Sequence, residues 1–291
     1  MKEIAYLCSQ NTIPGSSNRR TDAYEHDNMV GALRPAFANL DLRLVEVCWD
    51  DPDIQWDRSF AAAIIGTTWD YWDRHELFLA TLELIESTTP LFNSSAFVRW
   101  NSNKRYLKEL ATRGAKLIPT EWIDSPTRES IEAAFKSLGC EDMVVKRQVG
   151  AGADGQHRLK AGDPIPEMNH PMMAQPFLSS IQSEGELSLI FVDGEFSHAL
   201  IKRAKGDDYR IQSTYGGTEE AISPAAKDLA MAAAVLDALD QTPLYARVDM
   251  LRAETGELYL MELELIEPYL YPLEGPELGR RMAEAISRRL A

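Results

Sequence analysis

Residues 245–268, YARVDMLRAETGELYLMELELIEP, constrain this chain more than any other stretch. Apolar and charged side chains alternate with the period of two that marks a strand, and Thr255-Gly256 supplies a turn in the middle. With those two residues as the turn, Glu254 faces Glu257, Asp249 faces Glu262 and Arg247 faces Glu264. Arg247, Asp249, Glu262 and Glu264 then share one face of the hairpin. Ala246, Val248, Met250, Met261, Leu263 and Leu265 form an apolar layer on the other. A one-residue bulge would spoil the arrangement.

Directly opposed carboxylates repel, by about 0.2–1 kcal/mol per pair on a sheet and more once desolvated. An exposed acidic face, with Arg247 offsetting part of the charge, would relieve the conflict. The flanking run LYLMELELI is too apolar for a solvated edge. A divalent cation held by Asp249, Glu262 and Glu264 accounts for the pattern better. All-oxygen ligands suit Mg²⁺ or Mn²⁺, which usually bridge to phosphates.

The rest of the chain gives the hairpin its setting. EIAYLCS, DLRLVEVCW, AAAIIGTTWDYW and PLFNS read as strands, alternating with helical patterns at DNMVGALRPAFANL and HELFLATLELIEST. That alternation implies a parallel α/β sheet. Ligands gather at the carboxyl ends of such strands, here residues 67–74, where Trp69, Asp70, Tyr71 and Arg74 are candidates for substrate recognition or for packing between domains. Beyond a boundary between Asn93 and Asn101 the pattern changes. NSNKRYLKELATRG, TRESIEAAFKSLG, SPAAKDLAMAAAVLDALD and the C-terminal GPELGRRMAEAISRRLA read as helices. Asp193-Gly194 and Thr255-Gly256 mark hairpins of an antiparallel second half. With Asp193-Gly194 as a two-residue turn, His198 falls with Leu187, Leu189, Phe191, Phe196 and Leu200, where a structural role is the simpler reading. Met172, Met173 and Met231 are most simply core.

Composition excludes several classes. A net charge of −15 disfavours nucleic acid and anionic membranes as partners. No apolar run approaches the ~20 residues that span a bilayer, and the start MKEIAYLCSQ lacks a signal-peptide pattern. Cys8, Cys48 and Cys140 match no zinc or CxxC spacing. A cytoplasmic location is the expectation.

A place for the phosphate is to be sought in GAGADG, residues 150–155. The segment matches GxGxxG formally, but QHRLKAGDPIP follows instead of the helix a dinucleotide fold needs, and no Gly-Lys-Ser/Thr is present. What remains is a glycine turn between two strands, an ordinary hairpin loop or a phosphate cap, with Lys146 on the entering strand. Lys202 and Arg203 could likewise bind phosphate or a carboxylate, and Arg210 less so.

Taken in order, NSNK, PT, VVK with its glycine loop, QPFL, GELSL, RVD and MELEL resemble the ATP-grasp superfamily. The resemblance runs from Asn101 to the C-terminus, and the α/β half before it is similar to that superfamily's usual N-terminal domain. TTWDY, VRWNSNK, YLKEL, PFLSSI, GELSLIFVDGEFSHALIKR and ELELIEP are similar to the subgroup of glutathione synthetase and the cycloserine-forming ligase. The resemblance implies an α/β (α+β overall) chain with three parts: an N-terminal substrate-side domain (1–96), a central subdomain with the glycine loop (97–173) and a C-terminal subdomain with hinge and metal site (174–291).

It also implies roles for single residues. Lys104 and Lys146 would reach the nucleotide phosphates, under a loop with Gly150, Gly152 and Gly155. The backbone of Gln175, Pro176, Phe177 and Leu178 would hold adenine, and Glu186 the ribose hydroxyls. Asp249, Glu262 and Glu264 would hold two Mg²⁺ (or Mn²⁺) ions, and Arg247 would stabilise the tetrahedral transition state. Glu264 stands where the family usually has Asn. The activity implied is ADP-forming ligation: ATP converts a small-molecule carboxylate to an acyl phosphate that an amine attacks. A homo-oligomer would be in keeping with the subgroup. A small-molecule kinase and a non-catalytic nucleotide sensor are the rival readings; the intact Lys104, Lys146, Arg247 and acid set argues against the sensor.

Overall fold

The computed structural model describes residues 1–150, 152–206, 208–211 and 215–291. Chain order begins with β1 (Lys2–Cys8), α1 (Tyr24–Ala38), β2 (Leu42–Cys48), α2 (Trp56–Ser59), β3 (Ala62–Ile65), α3 (His75–Glu86) and β4 (Leu91–Phe92). The four strands pair in parallel in the order β2-β1-β3-β4. Such a sheet must be covered on both faces. Phe78, Leu79, Leu82 and Ile85 of α3 cover one, and Met29, Val30, Leu33 and Phe37 of α1 the other.

Next come α4 (Ser95–Asn101), α5 (Tyr106–Thr112), β5 (Glu121–Ile123), α6 (Arg128–Leu138), β6 (Asp142–Arg147), β7 (His157–Lys160) and β8 (Met172–Pro176). Their strands form an antiparallel sheet in the order β5-β8-β6-β7. The single helix expected over 101–114 is shorter, because residues 102–105 turn away so that the Lys104 amide donates to the Gln148 carbonyl (2.8 Å). The last part holds α7 (Ser180–Ser183), β9 (Glu186–Val192), β10 (Glu195–Arg203), β11 (Thr218–Ile222), α8 (Ala226–Asp237), β12 (Tyr245–Arg252), β13 (Leu258–Glu264) and α9 (Leu278–Arg289). Its five strands make an antiparallel sheet in the order β11-β10-β9-β12-β13.

One face of this central sheet, with Leu187, Leu189, Phe191, Ala246, Val248, Met250, Leu263 and Leu265, packs on α5 and α8. The opposite face is divided. Ile190, Val192, Leu200 and Tyr245 join the core of the N-terminal sheet, α1 and α9. Helices α1 and α9 touch closely enough that a Cβ on Gly279 would lie 2.2 Å from the Ala32 carbonyl oxygen. The remainder of that face carries the charged side chains and, at Leu251 and Met261, an apolar patch.

Two bulges depart from the expected registers. The β12–β13 connection is a three-residue loop, Glu254-Thr255-Gly256: Ala253 donates to the Glu257 carbonyl (2.8 Å), Gly256 donates to the Ala253 carbonyl (2.9 Å), and Gly256 adopts φ +79°. Met250 therefore faces Leu260, one residue out of the expected register, and an extra residue at Met261 restores it. Asp249 faces Glu262 and Arg247 faces Glu264 as expected, because the turn and the bulge offset each other. Met261 is the exception. A bulge puts its two residues toward one side, so Met261 leaves the apolar layer and lies with Leu251 beside Ile118 and Ile181.

The second bulge lies in β10. Glu195 pairs with Val192 as the two-residue turn requires, but the register shifts between Phe196 and His198. His198 consequently faces Ile190 and leaves the Leu187–Leu189–Phe191 face, and its Nε2 meets the Leu270 carbonyl at 3.0 Å. The same shift sets Lys202 opposite Glu186, on the polar half of the sheet.

Candidate active site

The polar half of the central sheet is a stripe across all five strands: Glu219, Lys202, Glu186 with Ser188, Asp249 with Arg247, and Glu262 with Glu264. It forms the floor of a cavity of about 330 Å³. The β5–β8 sheet and the glycine loop close one side, through Val144, Lys146, Gly150, Gly152 and Gln175. The N-terminal sheet closes the other, through Arg20, Asp22, Glu25, Trp69 and Trp72.

Along β12 and β13 the floor changes character in order. Leu251 and Met261 lie in an apolar slot with Ile118, Phe177, Leu178, Ile181, Tyr209 and Ile211. Asp249 and Glu262 come next, then Arg247 and Glu264, then Glu267 beside Trp69. From Leu251 to Arg247 is ~13 Å at strand rise.

Four acids of the stripe, Glu186, Asp249, Glu262 and Glu264, are met by cations; Glu219 has no ion pair among the described residues. Lys104 Nζ lies 2.8 Å from Glu262 and donates to the Gly150 carbonyl at 2.7 Å, tying the glycine loop to β13. Arg247 holds Asp249 (2.9 Å) and Glu264, and donates to the Tyr269 carbonyl (3.0 Å). Lys202 stands between Glu186 and Asp249, 3.3 Å from the latter. Ser188 Oγ donates to Asp249. Among the described residues Lys146 has no ion-pair partner, and Glu186 Oε1, ion-paired with Lys202, has a second lone pair left to accept a hydrogen bond.

The titration behaviour follows from burial and these partners. Burial pushes Glu186 and Glu264 up to about 7, with Lys202 and Arg247 respectively pulling back. Burial also acts to raise Asp249, but Arg247 and Lys202 outweigh it and hold the carboxyl at about 2. Burial lowers Lys146, whereas for Lys104 and Lys202 the surrounding acids overcome burial and keep both ammonium groups charged. Glu267 is driven up by burial, with Glu264 adding to the effect.

Not every expected residue reaches the cavity. Lys104, Lys146, Gly150, Gly152, Gln175, Pro176, Phe177, Leu178, Glu186, Lys202, Arg247, Asp249, Glu262 and Glu264 line it. Gly155 stays behind, packed on Arg147, and Arg203 is exposed and paired with Glu220. Arg210 lines the cavity but forks onto Asp208. Of the four residues after β3, Trp69 alone faces in. Asp70 accepts from Ser9, Trp49 (2.8 Å) and Arg74 (3.1 Å), which orders the loop. Tyr71 is buried against Phe78, and Arg74 stacks over Trp49 and pairs with Asp50. The loop turns at Thr68–Tyr71, so strand alternation stops applying. Glu219, Glu267, Trp72, Arg20, Asp22, Glu25, Tyr269 and Tyr271 are lining residues the sequence reading did not single out. A signal existed for Glu267, which ends the run ELELIEP.

All the carboxylates are hard oxygen donors, the class Mg²⁺ takes. Among the described residues no three His, Cys, Asp or Glu side chains stand close enough together to hold a metal ion, because lysine and arginine lie between them. The donor set fits the ion in kind, with the cations occupying the space between donors.

Residues 4–93 match the family model of the D-cycloserine synthetase DcsG N-terminal domain. The chain is 30% identical over 269 residues to the cycloserine biosynthesis protein DcsG of Streptomyces lavendulae, covering 84% of this chain and 88% of that one. The crystal structure of D-cycloserine synthetase DcsG superposes with a TM-score of 0.83 at 25% identity, covering 99% of this chain and all (100%) of the other. The ATP-grasp ligase PsnB, solved with a phosphomimetic variant of its minimal precursor, Mg and ADP, shares the fold with a TM-score of 0.67 at 16% identity over 99% of this chain and 98% of that one. The chain belongs to the ATP-grasp ligases, in the group of the cycloserine biosynthesis protein DcsG.

Proposed function

We propose that the cavity takes ATP base-first and that the protein is an ADP-forming ligase joining a small-molecule carboxylate to an amine. One observation carries the placement: an apolar slot, a carboxylate–lysine cluster and a buried arginine follow one another along β12 and β13. Adenine fits the slot against the Gln175–Leu178 backbone, and Glu186 Oε1 keeps capacity to accept from ribose hydroxyls. Lys104 and Lys146 take the phosphates, beneath Gly150 and Gly152. Asp249, Glu262 and Glu264 would hold Mg²⁺ (or Mn²⁺), as two ions, which when bound neutralise charge on the phosphates. Lys104 then shifts its charge from Glu262 to phosphate oxygens.

The carboxylate substrate lies beyond the phosphates, at Arg247. Its oxygen attacks the γ-phosphorus, the bond to the β-phosphate oxygen breaks, and ADP leaves. Arg247 stabilises the oxyanion when the amine adds to the acyl phosphate; it is held by Asp249, Glu264 and the Tyr269 carbonyl, so it needs no reorganisation during the reaction. Trp69 and Trp72 wall the substrate end. The division into 1–96, 97–173 and 174–291 belongs to this proposal: three sheets meet at the cavity, and the second boundary falls within β8. Among the described residues no helix is long and apolar enough to cross a membrane.

The test is ADP release with Mg²⁺ and ATP against amino acids, small peptides and ureido or hydroxamic derivatives, alongside thermal shifts with ATP. The expected result is turnover dependent on one carboxylate, an amide-type product by mass, and an ATP shift removed by chelator. A stable phosphoester product would make the protein a kinase. A metal-dependent shift without turnover on any carboxylate would favour the sensor, and no ATP shift would overturn the nucleotide placement.

A further inference from the structure

Four of the acids lining the cavity, Glu186, Asp249, Glu262 and Glu264, are ion-paired with Lys104, Lys202 or Arg247. Glu267 differs. It lines the same cavity, yet, like Glu219 on β11, it has no lysine, arginine or histidine within ion-pairing distance among the described residues; of the two, Glu267 is the one next to Glu264 in the chain. Its backbone is fixed, because Trp69 Nε1 donates to the Glu267 carbonyl at 3.0 Å and joins this segment to the loop after β3. Besides burial, the groups acting on its carboxyl are Glu264, Lys104 and Glu262, and its charge is felt by the buried Tyr71 and Tyr245 hydroxyls.

Position along the sheet gives this acid a direction. Glu267 follows Arg247 and Glu264 on the side away from the apolar slot, at the wall shared with Trp69. With ATP laid base-first, that is the side from which a nucleophile reaches the activated carbonyl. An amine arriving as an ammonium needs an anionic partner there and must shed two protons to become an amide.

We propose that Glu267 binds the attacking amine of the ligase reaction and takes its first proton. In the balanced step, Glu267, kept protonated by burial while the site is empty, gives its proton to solvent as the ammonium binds; the resulting carboxylate accepts a proton from R–NH₃⁺ and becomes the carboxylic acid again. The nitrogen lone pair forms the C–N bond to the acyl carbon. The C–O bond to the phosphoryl group then breaks, and the second nitrogen proton leaves with inorganic phosphate. Trp69, through its hydrogen bond to the Glu267 carbonyl, positions the segment.

The inference rests on the ligase reading, and hydroxylamine separates the two. Hydroxylamine is uncharged at neutral pH and captures an acyl phosphate as a hydroxamate without help from a base. Wild type and Glu267→Gln are compared for hydroxamate formation and for amide formation with the carboxylate–amine pair found in the panel. Glu267→Gln is expected to lose amide formation by roughly 10²-fold or more, with a raised KM for the amine, while hydroxamate formation stays within about 3-fold. Glu267→Asp, which restores the charge, is expected to recover part of the amide rate. Loss of both products by the same factor, or of neither, would overturn the role of Glu267 and leave the ligase reading standing. If wild type gives no hydroxamate from any carboxylate, the ligase reading falls and the role of Glu267 with it. Should Glu267→Gln show no ATP thermal shift, Glu267→Asp decides by the same comparison.

Discussion

Replacing Lys202 with methionine tests the electrostatic design of the sheet floor. Its ammonium lies between Glu186 and Asp249, with side-chain exposures of 6% for the lysine and 2% for each acid. Removing one member of a buried charge cluster costs about 3–5 kcal/mol, because the remaining charge stays out of water. Asp249 keeps Arg247 at 2.9 Å, so the loss falls on Glu186. Protonation limits the damage, at about 1.4 kcal/mol per pH unit. The sign follows from linkage. Glu186 already titrates at about 7 in the fold, above the ordinary ~4.3, so folding takes up a proton between those values and stability falls as pH rises through the window. Lys202→Met moves the upper edge higher, and the deficit should grow from pH 6 to pH 8.5. Urea unfolding followed by tryptophan fluorescence should show ~3–5 kcal/mol lost at the alkaline end, and scanning calorimetry a Tm lowered by roughly 6 °C or more. The double variant Lys202→Met/Glu186→Gln should recover more than half of the loss. A deficit below ~1 kcal/mol, one that shrinks with rising pH, or a double variant no better than the single would refute the reasoning.

Three further outcomes are expected. Arg247→Ala should lower kcat by about 10²–10³, read as ADP release with the identified carboxylate; unchanged turnover would remove Arg247 from the reaction. Deleting Ser197 takes out the extra residue of the β10 bulge and leaves His198–Lys202 in their pairing with Ile190–Glu186, so Lys202 stays on the cavity side and the ATP-induced thermal shift should persist; loss of the shift would show that the bulge itself is needed to hold Lys202 there. Gly279→Ala drives a methyl group against the Ala32 carbonyl and should cost about 1–3 kcal/mol or more in urea unfolding, with no effect if α1 and α9 can separate freely.

Much of the site was legible in the sequence because strand periodicity is local. The alternation in 245–252 and 258–264 puts Arg247 and Asp249 on one side and Val248 and Met250 on the other whatever the rest of the chain does. Order supplied the remainder: Lys104, Lys146, Gln175 and Glu186 follow one another in a spacing that individual motifs would not have distinguished. The loop after β3 was less legible. Trp69, Asp70, Tyr71 and Arg74 sit at a strand's carboxyl end, but a turn has no fixed period, and packing on Trp49 and Phe78 decided where three of them point.

By itself the sequence determined which residues could meet: a parallel α/β unit at the start, a hairpin loaded with carboxylates near the end, and a glycine loop beside Lys146. Tertiary structure alone decided which of them did. The pairing of Asp249 with Glu262 survives because a three-residue turn and the bulge at Met261 shift the register in opposite senses. Lys202 faces the cavity because β10 bulges between Phe196 and His198, a feature with no residue signature. A single extra residue moves every later side chain to the opposite face of a sheet, so the side on which a charge lands depends on neighbouring strands and on the core they bury together.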